Sequence, residues 1–421
     1  MSVKELIVNA GSSSLKYTVY LMPEEEVLCN GIFEQLCTNT PTFTHKLPDE
    51  NGKLQKVIDK KPIKAGAEHK EAIEILIDTL VGKEYGVLSS MDEIAAVGHR
   101  VLHGGEEFSG SVLVTEQVKE AVRRCIPLGP LHIPPILTGI EVCESVMKGI
   151  PDVAVFDTAF HQTISKEAYM YALPYEYYEK YGIRRYGFHG TSHRYISKRT
   201  TEFLMKKYPG KYNADELRVV TCHLGNGSSL AAVKGGKCVD TTMGLTPLEG
   251  IMMGTRSGSI DPAIIPFLME KEGLTAAEVD TILNKKSGML GLTSSDPNND
   301  ATSDNRTIEN RAKNGDERAM LVEAMFCHQL TKLIGGYVAA MGGVDAVVFT
   351  GGIGENNPQY RTRVAANLGF MGVKIDEEAN KKAFRTSDEN DISAKDAKVK
   401  MLVIPTNEEL MIARDTYSLV K

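Results

Sequence analysis

The chain has 421 residues, 42% of them hydrophobic and 24% charged, which is typical of a globular protein with two domains. Its net charge of −7 leaves no excess of Lys and Arg to neutralise phosphates, so we expect no binding of nucleic acid or membranes. Seven scattered cysteines without a CxxC pair predict reduced thiols and no structural zinc. The N terminus lacks a signal-sequence pattern, and no apolar run reaches the roughly 18 residues that span a bilayer, so we expect a cytoplasmic protein.

The predicted elements alternate between strands and helices. Apolar patterns predict strands at 6–9, 15–21, 94–98, 153–156, 217–222, 229–233, 345–350 and 401–404. Recurrence at i, i+3 and i+4 predicts helices at 69–81, 115–125, 135–148, 192–207, 262–272, 275–284 and 316–341. Residues 40–66 are predicted to form an exposed excursion and 293–305 a polar loop. This order predicts an α/β fold with domains at 1–157, completed by 409–421, and at 158–408.

Two distant segments are nearly alike, LIVNAGSSSLKYTVY at 6–20 and VVTCHLGNGSSLAAVKGG at 219–236. Each has a strand, a Gly-Ser turn and a second strand. Glycine lets the backbone approach an anion, while main-chain N–H groups and serine hydroxyls donate to phosphate oxygens. Because Gly11 and Gly227 lie about half the chain length apart, we predict a duplicated domain with a phosphate-binding turn in each half.

The two common nucleotide motifs do not fit these turns. None of the Gly-Lys pairs is followed by Ser or Thr, as a Walker A loop requires. The glycines at 225–227 and 352–354 lack the third glycine of a Rossmann fingerprint. Several dispersed glycine turns at strand ends instead predict a two-lobed cleft that holds a nucleotide from both sides.

Charged residues accompany the glycine turns. Arg100 lies in GHRVLHGGE, Asp157 in FDTAFHQT, His189 in YGFHGTSH and Arg256 in MGTRSGSIDP. Phosphoryl transfer needs cations for the charge on the equatorial oxygens, and an acid or metal that aligns the reacting groups. Each residue alone is more often a surface ion pair or a helix cap. Their repeated position beside glycines at strand ends favours a phosphoryl-transfer site.

Two histidine pairs have the spacing of a zinc-binding helix, His99 with His103 and His189 with His193. Neither has the glutamate of the HExxH motif, so we predict hydrogen-bonding roles and no zinc. For His99, His132 and His193 a structural role is the favoured interpretation.

The quoted segments resemble the acetate kinase family. LIVNAGSSSLKY and VTCHLGNGSSLAAVKGG are similar to its two signature segments, and six more are similar to its other fixed segments in the same order over nearly the whole chain: GHRVLHGGE, VFDTAFHQTI, YGFHGTSH, TPLEGIMMGTRSG, FTGGIGENN and IPTNEELMIARDT. The resemblance implies the actin, hexokinase and sugar-kinase fold, with duplicated ribonuclease H-like domains around a central cleft, usually as a homodimer. It implies reversible phosphoryl transfer from ATP to acetate, giving ADP and acetyl phosphate, with magnesium or, in its place, manganese.

The resemblance also implies roles for the matching residues. Asn9 and Glu408 would hold the metal, and Arg100 would bind the substrate carboxylate. His189 and Arg256 would stabilise the transferring phosphoryl group. The phosphates and the nucleotide would be contacted by Ser12, Ser14, Lys16, His223, Leu224, Gly225, Asn226, Gly227, Asp304, Asn305, Arg306, Gly352, Ile353, Gly354, Glu355 and Asn356. The acetate methyl group would be enclosed by Leu102, Leu131, Phe188 and Pro247.

The family pattern assigns Asp157 as a proton donor or acceptor, but the chemistry suggests another role. A carboxylic acid with a pKa of ~4 to 5, by comparison with Asp and Glu, is already an anion at neutral pH and needs no general base. We therefore hypothesise that Asp157 orders substrate or metal-bound water.

Three alternatives stay open at the level of the sequence. Asn305 stands where the family has Phe, and the loop at 295–303 is longer, so GTP or a simpler phosphoryl donor remains an alternative to ATP. Propionate and butyrate kinases share most of these motifs, and one methylene is worth only about 1 to 3 kcal/mol in an apolar pocket. The bulk of Leu102 favours the shorter acid. Actin-like or chaperone-type ATPases and nucleotide sensors form the third alternative, although no extra interaction domain is visible.

Overall fold

The structure is a computed structural model, which describes residues 2–130, 132–294 and 299–421. The chain forms two compact units, Met1–Phe160 with Asn407–Lys421, and His161–Thr406. The sequence-based domain bounds lie within three residues of these unit bounds, and independent folding of the units stays a prediction. No helix among the described residues is long and apolar enough to cross a membrane.

The strands are, in chain order, β1 (Val3–Ala10), β2 (Ser14–Met22), β3 (Glu26–Glu34), β4 (Thr42–Pro48), β5 (Leu54–Pro62), β6 (Ile94–Val101), β7 (Val112–Leu113), β8 (Asp152–Phe156), β9 (Arg218–Leu224), β10 (Ser228–Lys234), β11 (Lys237–Thr241), β12 (Ala346–Thr350), β13 (Asn390–Asp391) and β14 (Lys400–Val403). The helices are α1 (His69–Leu80), α2 (Glu116–Arg124), α3 (Ile133–Val146), α4 (Lys166–Tyr169), α5 (Tyr175–Tyr181), α6 (Gly190–Lys207), α7 (Ile264–Glu272), α8 (Ala276–Lys285), α9 (Gly288–Thr293), α10 (Asn305–Lys313), α11 (Glu317–Met341), α12 (Gly351–Asn356), α13 (Pro358–Asn367), α14 (Glu377–Lys382) and α15 (Glu408–Val420).

The first unit is built on an eight-stranded sheet in the order β5-β4-β3-β2-β1-β6-β8-β7. Strands β1 to β5 pair antiparallel with their neighbours, whereas β1, β6 and β8 run parallel. Leu6 and Val8 of β1 belong to a core cluster that includes Ile73 and Leu76 of α1. Helix α15 packs closely on β6, since a Cβ on Gly98 would overlap the side chain of Thr416. The C-terminal helix therefore completes the first unit.

The second unit repeats this plan on a six-stranded sheet, in the order β11-β10-β9-β12-β14-β13. Strands β9, β10 and β11 pair antiparallel, and β9, β12 and β14 run parallel. The long helix α11 places Phe326, Leu330 and Ile334 in the core beside Phe349 of β12. Both sheets thus contain three antiparallel strands followed by two parallel ones in the same spatial order, which confirms the predicted duplicated α/β fold and the hairpin at the start of each half.

The prediction for residues 40–66 was wrong, because this stretch contains β4 and β5. Strand β4 contributes the buried side chains of Phe43 and His45, and β5 is a lysine-rich strand at the edge of the sheet. Lys-rich composition is how edge strands avoid pairing with other chains, and here it hid the strand pattern. The predicted loop at 293–305 begins at the end of α9 and ends at the start of α10, with residues 295–298 outside the described chain.

Candidate active site

The turn between β1 and β2 presents the first group of predicted residues. Gly11 donates its N–H to the Ser14 carbonyl at 2.8 Å, and the His69 ring bonds the Gly11 carbonyl at 2.7 Å. The β1–β2 register pairs Asn9 with Lys16, and the side chains of Ser12 and Lys16 are exposed. The turn is therefore fixed by its backbone, while its hydroxyl and ammonium groups remain available.

Arg100 gathers three other predicted residues at the carboxyl ends of parallel strands in the first unit. Its guanidinium pairs with both oxygens of Asp157, with Nη2···Oδ2 at 2.6 Å and Nε···Oδ1 at 3.1 Å. Its Nη1 donates to Asn9 Oδ1 at 3.4 Å, and its Nε lies 3.9 Å from Glu408 Oε2. Residues from β1, β6, the end of β8 and the start of α15 thus form one cluster.

The charges in this cluster are strongly coupled. Burial raises the pKa of Glu408 to about 7, the positive charge of Arg100 opposes this, and the negative charge of Asp157 adds to it. Burial alone would lower the pKa of Arg100, but the charges of Asp157 and Glu408 outweigh that effect and raise it. Because two carboxyl groups lie beside one guanidinium, the cluster can bind an additional cation.

The donor set at this cluster fits a magnesium site that is completed by substrate. Among residues 2–130, 132–294 and 299–421, no group of three or more His, Cys, Asp or Glu side chains could hold a metal by itself. Magnesium in phosphoryl-transfer sites is commonly held by one or two carboxylates, with waters and substrate phosphates as its other ligands. The amide oxygen of Asn9 and the carboxylate of Glu408 are donors of this kind.

The turn between β9 and β10 presents the second group. Gly225 donates its N–H to the Gly227 carbonyl at 3.0 Å, and Gly254 donates to the Asn226 carbonyl at 3.0 Å. A Cβ on Gly254 would overlap the Asn226 side chain and displace it, so glycine permits this close contact. The contact fastens the segment that carries Arg256 to the turn.

Arg256 is a desolvated guanidinium. Its Nη1 donates to the Pro247 carbonyl at 3.0 Å, and burial lowers its pKa. No carboxylate within the described part of the chain forms an ion pair with it. Because a partly buried cation without a counter-ion is costly, this arrangement favours an anionic ligand.

His189 lies beside Arg256 in an unusual backbone conformation. Its φ of 55° is left-handed, a region that non-glycine residues rarely occupy and that is enriched at functional sites. Its ring stacks on that of His223 with centroids 4.4 Å apart, and its Nδ1 lies 2.9 Å from Ser229 Oγ. A Cβ on Gly227 would lie 3.4 Å from His189 Nε2 and 3.8 Å from Arg256 Nη1. His189 and Arg256 therefore converge on the same glycine.

A cavity of about 740 Å³ opens beside this turn, within the range of nucleotide-sized ligand sites. Its lining includes eight predicted nucleotide residues: Gly225, Asn226, Asp304, Asn305, Arg306, Gly352, Ile353 and Asn356. Sequence reasoning missed Glu309, Asn310, Lys313, Phe384 and Arg385, which also line it. Helix α10 brings three of these beside Asp304, and the exposed Phe384 carries no pattern that would single it out.

The remaining predicted nucleotide residues have other surroundings. Leu224 is buried in β9, and Gly354 packs beneath the strands. Glu355 accepts the N–H of Gly351 at 2.8 Å and that of Thr406 at 3.3 Å, so its carboxylate secures the backbone. Asn305, the departure from the family pattern, accepts a hydrogen bond from the Tyr360 hydroxyl at 2.9 Å.

The four predicted acyl-pocket residues are divided between the units. Leu102, which is 7% exposed, belongs to the first unit, while Phe188 and Pro247 belong to the second. Leu131 lies outside the described residues. Among the histidines, His99 pairs with Asp152 at 2.6 Å in the interior of the first unit.

Comparison with known proteins gives a consistent class. The duplicated α/β units and their two glycine turns fit a phosphotransferase. Residues 4–414 match the Acetokinase family. An acetate kinase of Treponema denticola is 52% identical over 419 residues, covering 100% of both chains. The chain belongs to the acetokinase family.

Solved structures of two relatives have the same fold. The acetate kinase of Porphyromonas gingivalis matches with a TM-score of 0.88 at 46% identity, covering 100% of both chains. A propionate kinase of Francisella tularensis matches with a TM-score of 0.87 at 38% identity, covering 99% of this chain and 100% of that one. Similarity of the backbone therefore does not distinguish an acetate kinase from a propionate kinase.

Proposed function

We propose that the protein is an acetate kinase, which transfers a phosphoryl group reversibly between ATP and acetate and forms acetyl phosphate and ADP. The convergence of His189 and Arg256 on Gly227, next to the nucleotide-sized cavity, is the observation that carries this proposal. A nucleotide in the cavity would direct its terminal phosphate to the Gly225–Gly227 turn. There the backbone, an imidazole and a guanidinium can bind its oxygens.

The transfer is governed by charge. An acetate oxygen forms a bond to the terminal phosphorus while the bond to the ADP oxygen breaks, and both partners are anions. Arg256 and His189 would neutralise charge on the transferring group, and Arg100 would hold the acceptor carboxylate. Asn9 and Glu408 would hold magnesium, which when bound neutralises further phosphate charge.

The structure suggests a specific role for Asp157. Its two oxygens form a bidentate pair with Arg100, and its side chain is only 1% exposed. Such a pair fixes the plane and the direction of the guanidinium. We infer that Asp157 positions Arg100 for the acceptor carboxylate. A proton-transfer role is not needed, because the acceptor is already ionised.

A hydroxylamine trap tests the proposal directly. Protein, magnesium, ATP and acetate should yield acetohydroxamate, since hydroxylamine captures acetyl phosphate. We expect kcat/KM for acetate to exceed that for propionate by about tenfold or more, because Leu102 restricts the space for an added methylene. A higher value for propionate would make this a propionate kinase, and ATP hydrolysis without hydroxamate would place it among the ATPases.

The phosphoryl donor needs its own test. The cavity supports a nucleotide, and ATP is the donor that we propose. Replacing ATP by GTP and by pyrophosphate in the same assay measures the preference. The Asn305 side chain accepts a hydrogen bond from the Tyr360 hydroxyl. A changed preference among these donors in Asn305→Phe would show that this position contacts the base.

We also propose a cytoplasmic homodimer, as the resemblance to the family implies. Light scattering after size-exclusion chromatography distinguishes a monomer of 46.1 kDa from a dimer of twice that mass. A monomer at micromolar concentration would contradict the dimer.

A further inference from the structure

A continuous path of hydrogen bonds joins the sheet of the second unit to His189. His189 Nδ1 lies 2.9 Å from Ser229 Oγ, which lies 2.8 Å from His193 Nε2. His193 Nδ1 lies 2.7 Å from Thr221 Oγ1, and that hydroxyl donates to the Ala231 carbonyl at 3.4 Å. Thr221, His193 and Ser229, here called the histidine relay, are fully buried.

The direction in which Thr221 donates sets the directions of the hydrogen bonds that follow it in the relay. Burial, followed by the nearby His161 and His223, lowers the pKa of His193 well below its usual value, so this ring is neutral. A neutral imidazole has one N–H donor and one acceptor nitrogen, and each hydroxyl has one proton. A hydroxyl that donates its proton to one partner can only accept from the other, so a Ser229 that donates to His193 must accept from His189.

One direction uses all four contacts. If Thr221 donates to the Ala231 carbonyl, it must accept from His193 Nδ1–H. His193 Nε2 then accepts the Ser229 proton, and Ser229 Oγ accepts from His189 Nδ1–H. The opposite direction gives up the contact with Ala231. Because buried polar groups are generally satisfied, the first direction is favoured.

We propose that His193 is a positioning residue which, through Ser229, holds His189 in its Nδ1–H form, so that His189 donates from Nε2 only as an imidazolium. This inference rests on the proposed function, in which His189 Nε2 binds the transferring phosphoryl group. A neutral ring in this form would present a lone pair to the phosphoryl oxygens and repel them. The phosphoryl group is therefore bound together with a proton on His189.

The charged and titratable groups around His189 influence whether its ring holds a second proton. His223 stacks on its ring from β9, Arg256 lies across Gly227, and Ser229 accepts from its Nδ1. His193 in turn faces His161 at 5.8 Å and His223 at 6.3 Å between ring centroids. Arg256 and a bound phosphoryl group carry opposite charges, so they act in opposite directions on a proton at His189. We expect turnover to fall as the pH rises and His189 loses its proton.

The decisive experiment observes the histidine tautomers. In ¹⁵N-histidine-labelled protein, two-bond proton–nitrogen correlation spectra distinguish Nδ1–H from Nε2–H rings, and the His189 signals are those lost in His189→Gln. We expect neutral His189 as the Nδ1–H form and a His193 that stays neutral from about pH 5.5 to about 8.5. A neutral His189 carrying its proton on Nε2 would overturn the proposal; the tautomer is read from the unmodified protein, and His189→Gln serves only to assign the signals.

Two substitutions at Thr221 then test action at a distance. Thr221→Val removes the acceptor of His193 Nδ1–H while keeping the volume, so His193 should change to its Nε2–H form and His189 with it. Thr221→Ser keeps the hydroxyl and should retain the original forms. Thr200→Val is the matched control, since it removes a buried hydroxyl of α6 that donates only to its own helix at Ile196. An unchanged His189 tautomer in Thr221→Val would refute the relay.

Kinetics of Ser229→Ala add a functional readout. Losing a hydrogen bond to a charged imidazolium should reduce kcat about tenfold or more, with the KM for ATP nearly unchanged. The alkaline limb of the kcat profile should move to lower pH by about one unit. A uniform loss with an unshifted profile would indicate a merely structural role and contradict the proposal. If the wild-type protein forms no acetohydroxamate but Thr221→Val still changes the His189 tautomer, the proposed function is refuted and the relay is retained.

Discussion

The glycine turns after β1 and β9 occupy the same place in two sheets of the same order, but the side chains around them differ in charge. The first turn lies in the unit whose cluster contains the carboxylates of Asp157 and Glu408 beside one guanidinium. The second turn has His189 and Arg256 beside it, and no carboxylate within the described residues pairs with that arginine.

This difference shows how a duplicated scaffold can divide one reaction. Both turns offer backbone N–H groups, which bind anions of any kind. Added carboxylates suit the first unit to a metal and a guanidinium-bound acceptor. Added cations suit the second unit to the phosphates of the donor. The specificity of each half therefore lies in the side chains at the strand ends, while the backbone is common to both.

The largest effect is expected when the second turn loses its cation. Arg256→Ala should reduce kcat by about 10³-fold, because the guanidinium neutralises charge that develops on the transferring group. The KM for ATP should change far less. Steady-state kinetics of hydroxamate formation measure both quantities. Arg199→Ala is a control within the same unit, since Arg199 pairs with Glu389 at 2.7 Å. Normal turnover of Arg256→Ala would remove this arginine from the mechanism.

A smaller effect is expected when the first cluster loses a carboxylate. Asp157→Asn breaks the bidentate pair and releases Arg100, so kcat/KM for acetate should fall by about a hundredfold, mainly through misplacement of the acceptor. The assay uses saturating magnesium, and nucleotide affinity should stay near that of the wild type. Glu107→Gln serves as the control, because it loosens an exposed ion pair with Arg124. Nearly full efficiency in Asp157→Asn would contradict the positioning role.

Alanine at the turns themselves compares the two sites sterically. Gly254→Ala would drive a Cβ into the Asn226 side chain, whereas a Cβ on Gly11 would lie 3.0 Å from Ser14 Oγ. Overpacking of this kind costs about 1 to 3 kcal/mol, so the KM for ATP should rise about tenfold in Gly254→Ala. We expect a smaller change in Gly11→Ala. Gly336→Ala, whose Cβ would have no atom within 4 Å outside the adjacent residues and the nearby backbone of its own helix, is the neutral control. A larger rise in the KM for ATP in Gly11→Ala than in Gly254→Ala would mean that the second turn tolerates displacement of the Asn226 side chain.

The sequence predicted the fold well where one pattern dominated. Strand β12 is a nearly continuous apolar run, β9 is rich in β-branched residues, and α11 has clear helical recurrence, so their bounds agree with the structure to within a few residues. The strand β5 was missed because the demands on an edge strand favour lysine over alternation.

The candidate site was predictable as a set of glycines and charges, but not as a geometry. Asn9, Arg100, Asp157 and Glu408 are far apart in sequence, and the parallel strand order brings them together. The histidine relay was hidden for another reason. The spacing of His189 and His193 was visible, yet the serine between their rings comes from β10. Contacts between distant elements of this kind have no local signal.

The smallest expected effect concerns a buried acid of the first sheet. Glu5 lies five residues before the end of β1, and Val219 has the same place in β9. Glu5 is 0% exposed, neither of its oxygens has a hydrogen-bond partner within the described chain, and burial raises its pKa to about 8. An unfolded Glu has a pKa of about 4.3, so the folded state binds the proton more tightly. The stability that this proton binding contributes to the folded state is fully present below about pH 4 and is lost as the pH rises through about 8.

The midpoint of thermal unfolding of this 421-residue chain should therefore fall by about 1 to 2 °C between neutral pH and pH 9 through this group, and Glu5→Gln should lack that part of the decrease. Calorimetry of both proteins at several pH values measures the difference. Identical pH dependence in the two proteins would show that Glu5 is ionised inside the fold and has a partner, unlike the apolar position that corresponds to it in the second unit.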